Sequence, residues 1–120
     1  MLYEQNNVFA KILRGELPNK TVYEDEEVLA FHDIYPQSKV HVLVIPKGKF
    51  VSFDDFTKKA TTDQIGKFFE KVGKIARDLG VDQEGFRIIA NIGEYGGQEV
   101  PHFHVHICGG QKLGRMIEKK

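Results

Sequence analysis

Net charge is the first thing this sequence lacks. Its 17 Lys and Arg residues balance 17 Asp and Glu, so it carries no broad electrostatic footprint for nucleic acid or an anionic membrane. Lys112, Arg115, Lys119 and Lys120 near the C-terminus read as spaced, solvated charges. Cysteine is nearly absent. Cys108 stands alone, which forbids an intramolecular disulfide and suits a reducing compartment. Long apolar runs are missing too. The longest aliphatic run is Val42 to Ile45, far short of a membrane span, and MLYEQNNVFAKILRG has no apolar stretch of signal-peptide length. No internal repeat, low-complexity stretch or Gly/Ser linker divides the chain. We therefore expect one cytosolic domain, with residues 1–6 and 115–120 as flexible ends. At 120 residues such a domain buries roughly two-thirds of its extended-chain surface.

What is present is a regular alternation of apolar patterns. Asn6 or Asn7 can cap a short helix with Val8, Phe9, Ile12 and Leu13 on one stripe, stopped by Gly15 and Pro18. Thr21–Tyr23 and Val28–Phe31 read as strands around the acidic turn Glu24 to Glu27, and Val40–Ile45 as a buried central strand ended by Pro46-Lys47-Gly48. Ile65, Phe68, Phe69, Val72, Ile75, Ala76 and Leu79 fall on one face of an α-helix. Thr61, Thr62 or Asp63 can cap that helix, and Gly80 suits the left-handed position after its end. Phe86–Ala90 and Val100–Ile107 are two further strands, joined by a loop from Asn91 to Glu99 with glycines at 93, 96 and 97. Five strands with one long and one short helix predict an α+β fold: a five-stranded antiparallel sheet with helices on one face and the other face open.

The chemistry is concentrated in Pro101-His102-Phe103-His104-Val105-His106-Ile107. Its strict period of two places the three histidines on one face of a strand and Phe103, Val105 and Ile107 on the other. Same-side neighbours are then about 7 Å apart, close enough for one phosphate or metal to meet two or three imidazoles. An ordinary exposed sheet face uses Thr, Lys or Glu more often than histidine. Cys108 shares the histidines' parity, and a free cysteine there is either an inert small residue or a thiol near His106. His41 alone reads as a hydrogen-bonded core histidine; in a strand beside the histidine strand it joins the cluster. His32-Asp33 is either a plain strand-to-turn boundary or a carboxylate placed to grip a ribose diol. The loop Gly93 to Gln98 offers backbone amides that can cradle an anion.

His102-Phe103-His104-Val105-His106 resembles the H-x-H-x-H signature of the histidine-triad (HIT) superfamily. The surrounding blocks are similar to its Hint-like branch of purine nucleoside phosphoramidases. These are Val8-Phe9-Ala10-Lys11-Ile12, Leu29-Ala30-Phe31-His32-Asp33-Ile34, His41 to Lys47, Asn91, Gly96-Gly97-Gln98 and Gly109-Gly110. The resemblance runs from about Asn7 to about Gly114, nearly the whole chain, and implies a single HIT domain over residues 1–120 whose sheet extends across a homodimer. It also implies His104 as nucleophile, with His102, His106 and His41 as its supporting shell, and Asp33 on the ribose hydroxyls. Val8, Phe9, Ile12, Phe31, His32, Ile34 and Leu43 would form the base pocket. Asn91, Gly97, Gln98, Glu99 and the backbone at Val100 would border the phosphate. Glu99 and Tyr35 depart from the serine and the small hydroxyl residue that Hint-type members often carry there, and the chain past Gly110 also differs. By strand parity Glu99 points away from the triad.

The activity so implied is cleavage of the P–N bond of purine nucleoside 5′-phosphoramidates, of AMP-amine or AMP-lysine type, through a nucleotidyl-histidine. A neutral imidazole is nucleophilic at neutral pH without a separate base, and a neighbouring imidazole can protonate the departing amine. The expected partners are a purine nucleotide and a second copy of the chain, without nucleic acid, membrane, metal or cofactor. Three alternatives remain: a dinucleoside polyphosphate hydrolase, a zinc-binding module using the alternating histidines, and a nucleotide-binding regulator.

Overall fold

Eight elements follow one another in the computed structural model, which describes residues 2–118. They are α1 (Val8–Leu13), β1 (Thr21–Glu24), β2 (Val28–His32), β3 (Val40–Pro46), α2 (Phe53–Lys59), α3 (Thr62–Asp78), β4 (Arg87–Ile89) and β5 (Val105–Gly109). Met1, Lys119 and Lys120, assigned by the sequence to flexible ends, lie outside the described residues. The five strands form one antiparallel sheet in the order β1-β2-β3-β5-β4. The β-branched run of β3 is central: Val42 pairs with His32 of β2 on one side and with Ile107 of β5 on the other. This order sets His41 diagonally across from His106, because Leu43 pairs with His106 and His41 with Cys108.

The long helix packs by its apolar stripe. Thr61 caps α3 in a reciprocal capping box with Gln64, and Gly80 takes φ 77° just past its end. Gly66 and Gly73 inside the helix each cost about 1 kcal/mol in propensity. Burial of Phe68, Val72 and Ile75 contributes about 1.5–3 kcal/mol apiece, so packing decides in favour of the helix. On the sheet beneath it lie Val28, Ala30, Val42, Val44, Val105 and Ile107. Phe103 stacks on Phe56 of α2 with ring centroids 4.9 Å apart and lies 5.3 Å from Phe68.

Three expectations need correction. The second sheet face is not open: α1 covers it, packing Phe9 onto Leu29, Phe31, Leu43 and Ile45. A further helix, α2, stands between β3 and α3, capped by Ser52, whose hydroxyl accepts from the Asp55 amide. The histidine strand also begins later than the pattern predicts, at Val105 rather than Val100. Val44 pairs with Val105, so the next partner of residue 103 in the same set would be Pro46, which has no N–H to give to a ladder. The Phe103 amide instead donates to the Phe50 carbonyl, 2.7 Å away. Residues 100–104 therefore lie outside the ladder, bent at 100–102 and anchored by other contacts, and His102 and His104 precede the strand.

Candidate active site

α1, the C-terminal end of β2, β3 and the chain leading into β5 enclose a cavity of about 720 Å³ on the α1 side of the sheet. Asn7 sets the helix in place, its side chain accepting from the Ala10 amide at 2.9 Å. Val8, Phe9 and Ile12 thereby form one wall, and Phe31, Leu43 and the more exposed His32 and Ile34 face them from the sheet side. Asp33, Tyr35 and Gln37 also line it, as do Asn91, Gly97, Glu99 and Val100. His41, His104 and His106 complete the lining near the sheet.

Hydrogen-bond partners fix where the imidazole protons sit. The Gln37 amide N–H donates to His41 Nδ1 at 3.0 Å, so this nitrogen is an acceptor and the neutral ring carries its proton on Nε2. That Nε2–H donates to His106 Nδ1 at 2.9 Å, which leaves the proton of His106 on Nε2. The Asp33 carboxylate lies 3.4 Å from the same His41 nitrogen and also accepts from the Tyr35 amide at 2.8 Å. His104 is arranged in the opposite sense. Its Nδ1 is 2.7 Å from the His102 carbonyl, which can only accept, so Nδ1 holds the proton and Nε2 keeps a free lone pair. The His104 and His106 ring centroids are 5.1 Å apart, and the Phe9 ring stands perpendicular to His104 with centroids 5.0 Å apart.

Burial keeps His104 and His106 neutral. It lowers His106 to about 4, helped by the neighbouring His104 and His41. It lowers His104 as well, while the bond to the His102 carbonyl and the charges of Asp33 and Glu99 act the other way. Two imidazoles side by side, one offering a lone pair and the other an N–H, make a nucleophile next to a proton donor.

His102 lies elsewhere. It is 0% exposed and forms no part of the cavity lining. Its Nε2 donates to the Pro46 carbonyl at 2.8 Å and its Nδ1 accepts from the Tyr3 hydroxyl at 2.6 Å. Burial lowers it to about 4. The expected row of three imidazoles on one open face is thus a pair in the cavity with a third behind it. Gln98 also turns inward: its amide nitrogen donates to the Val51 and Val100 carbonyls, and its oxygen accepts from the Gly93 amide. It ties down the glycine loop rather than facing the cavity. Glu99 is exposed and borders the cavity despite its parity, because the strand that parity presumes has not yet begun. Cys108 is buried, with its thiol pushed up by that burial, and lies outside the lining. Sequence reasoning missed Tyr3, which no periodic pattern marked, and also Leu17, Asn19 and Gln37 of the cavity lining.

A cation would find one set of converging donors among the described residues. Ligand atoms of Asp33, His41 and His106 lie within 4.8 Å of one another. Two of these nitrogens face each other at 2.9 Å across a hydrogen bond, so a metal there would displace the proton that links them. Among the described residues no Lys or Arg lines the cavity, and Asp33 and Glu99 are its two carboxylates.

Comparison with known proteins places this geometry. The HIT domain family model matches residues 14–113. An uncharacterized HIT-like protein of Azospirillum brasilense is 54% identical over 117 residues, 98% of this chain and 96% of that protein. The purine nucleoside phosphoramidase of Escherichia coli strain K12 is 38% identical over 116 residues, 97% of each chain. Among solved structures, a histidine triad protein from Clostridium difficile superposes with a TM-score of 0.86 at 42% identity, covering 97% of this chain and 100% of that one. A HIT family hydrolase from Clostridium thermocellum gives 0.82 at 38% identity, covering 96% and 99%. With a family model over most of its length, and relatives this similar matched almost end to end, the chain belongs to the HIT family, as one of its hydrolases.

Proposed function

We propose that this chain hydrolyses the P–N bond of purine nucleoside 5′-phosphoramidates through a nucleotidyl intermediate on His104. One observation carries the reading: the bond from His104 Nδ1–H to the His102 carbonyl leaves the other ring nitrogen unprotonated beside the cavity. The purine lies between Val8, Phe9 and Ile12 on one side and Phe31, His32, Ile34 and Leu43 on the other. Asp33 keeps lone pairs free to accept from the ribose hydroxyls, since a carboxylate offers about four acceptor sites. Asn91 and the backbone from Gly97 to Val100 border the phosphate.

In the first step His104 Nε2 bonds to phosphorus as the P–N bond breaks. The departing amine needs a proton, taken up by the His41–His106 pair when the anionic phosphoryl group binds and raises its proton affinity. Asp33, 3.4 Å from His41, offsets the positive charge while the pair holds it. His106 delivers that proton to the amine nitrogen. In the second step water attacks phosphorus, the neutral pair takes the proton from the water, and His104 leaves as the free imidazole. Developing charge on the phosphoryl oxygens meets the loop amides and the histidine N–H groups.

The lining favours this substrate class over a dinucleoside polyphosphate. With two carboxylates and no Lys or Arg among its described lining residues, it suits a single phosphoryl charge better than several. A second copy of the chain fits along β4, an edge strand that exposes Ile88 and is flanked by the exposed Phe86 and Ile92, where pairing would cover both unpaired backbone and apolar surface. The test is a turnover screen of AMP-amine, AMP-lysine and dinucleoside polyphosphate substrates. Release of amine and AMP from the first two supports the reading. Turnover of polyphosphates alone overturns it.

A further inference from the structure

We propose that Tyr3 is a positioning residue for the nucleophile: its hydroxyl locks the His102 ring, and through the His102 carbonyl it holds His104 in the tautomer that attacks. This rests on the assignment of His104 as nucleophile.

Three short contacts in series carry it. The Tyr3 hydroxyl donates to His102 Nδ1 at 2.6 Å, His102 Nε2–H donates to the Pro46 carbonyl at 2.8 Å, and His104 Nδ1–H donates to the His102 carbonyl at 2.7 Å. The direction of the first bond is forced. A carbonyl only accepts, so the single proton of the neutral His102 ring is on Nε2, and Nδ1 must receive its hydrogen bond from the phenol. With both nitrogens held, the ring cannot flip. The Tyr3 and Phe9 rings meet it edge-on, with centroids 5.5 and 6.3 Å away. The backbone of His102 is bent inward as well, its amide donating to the Val100 carbonyl at 2.9 Å. A ring fixed at both ends on a tight bend fixes the direction of the carbonyl that follows it.

That carbonyl has a chemical role. A neutral histidine in water prefers its proton on Nε2, whereas nucleophilic attack by His104 Nε2 requires the proton on Nδ1. Only an acceptor aimed at Nδ1 selects this less favoured form. If the Tyr3 hydroxyl is removed, His102 Nδ1 becomes a buried acceptor without a partner. Moving the proton to Nδ1 would then set the Nε2 lone pair against the Pro46 oxygen. Either outcome loosens the ring and the carbonyl attached to it. Tyr3 reaches the site across 99 positions of sequence, so the N-terminal segment takes part in orienting the reacting group without touching substrate.

The experiment compares wild type and Tyr3→Phe in two readouts. In the first, steady-state kinetics on an AMP-amine phosphoramidate should show kcat lower by about 10- to 100-fold, with KM within about twofold, because ground-state binding contacts are intact. In the second, long-range 1H–15N spectra of the histidine rings should show the wild-type protons on His102 Nε2 and His104 Nδ1. The variant should show His104 as a tautomer mixture while its backbone spectrum stays folded. Unchanged kcat and an unchanged His104 tautomer in Tyr3→Phe overturn the proposal, as does a wild-type His102 carrying its proton on Nδ1. If Tyr3→Phe does not fold, the wild-type proton positions on His102 and His104 alone support or overturn the proposal. A wild type that turns over no phosphoramidate defeats the proposed function, and the positioning role is then decided by the tautomer spectra.

Discussion

His102 should make this protein acid-labile, by an amount that can be worked from its burial. The ring is 0% exposed and neutral, held between a hydroxyl and a carbonyl. In the unfolded chain it takes a proton near its ordinary value of 6.5, whereas in the folded protein burial defers that to about 4. The unfolded state therefore binds more protons across this window. The associated stability is fully present above pH 6.5 and is lost as pH falls toward 4. The loss for this one ring is about 2–3 kcal/mol by pH ~4.5 and close to nothing at pH ~7.5. His104 and His106, also lowered by burial, push in the same direction, so the wild-type slope alone does not isolate His102. His102→Gln keeps an amide donor and acceptor but does not titrate. Urea unfolding of both proteins at pH ~7.5 and ~4.5 should show the variant losing about 2–3 kcal/mol less than wild type over the interval. Equal losses would refute the reasoning, because they would mean that the buried neutral His102 is not a source of the acid sensitivity.

Three further outcomes follow from the site and the sheet edge. Glu99→Ser should raise kcat/KM on AMP-amine substrates about 3- to 10-fold at low ionic strength, with the gain shrinking as salt is added; identical kinetics would mean that the carboxylate exerts no field on the phosphate. Activity should survive exhaustive chelation with EDTA or phenanthroline, since the proton between His41 and His106 occupies the place where a cation would bind; a loss restored specifically by zinc would favour a metal site. Light scattering at micromolar concentration should give about twice the chain mass, and a monomer at every concentration would remove the β4-edge dimer.

The sequence made the sheet and the long helix legible because both bury continuous apolar stripes. The run of β3 and the stripe from Ile65 to Leu79 each have one physical solution. The histidine segment was legible only in part. Alternation from Val100 onward reads as strand, but the missing N–H of Pro46 stops the ladder, and that depends on which residue of β3 lies opposite. The same register explains Glu99, whose parity has no meaning before the strand starts. α2 spans seven residues, too few for a periodic stripe, and its readable signal was Ser52 with Asp55 three positions on, a capping pattern. The stripe of α1 was visible, but not the sheet face that it covers. His41 could be placed beside His106 only once β3 and β5 were known to be neighbours. Gln98 and Tyr3 are harder cases. What each does is set by a backbone carbonyl or an imidazole far away in the chain, and no local pattern encodes such a partner.

The most direct test of the mechanism is the identity of the atom that carries phosphorus. Wild-type protein should be mixed with an AMP-amine phosphoramidate, quenched within a turnover, digested under conditions that preserve phosphorus–nitrogen bonds, and mapped by mass spectrometry. AMP is expected on His104 of the wild type, with no adduct in His104→Ala. An adduct on His102 or His106, or none at any time while AMP and amine accumulate, would contradict nucleophilic attack by His104.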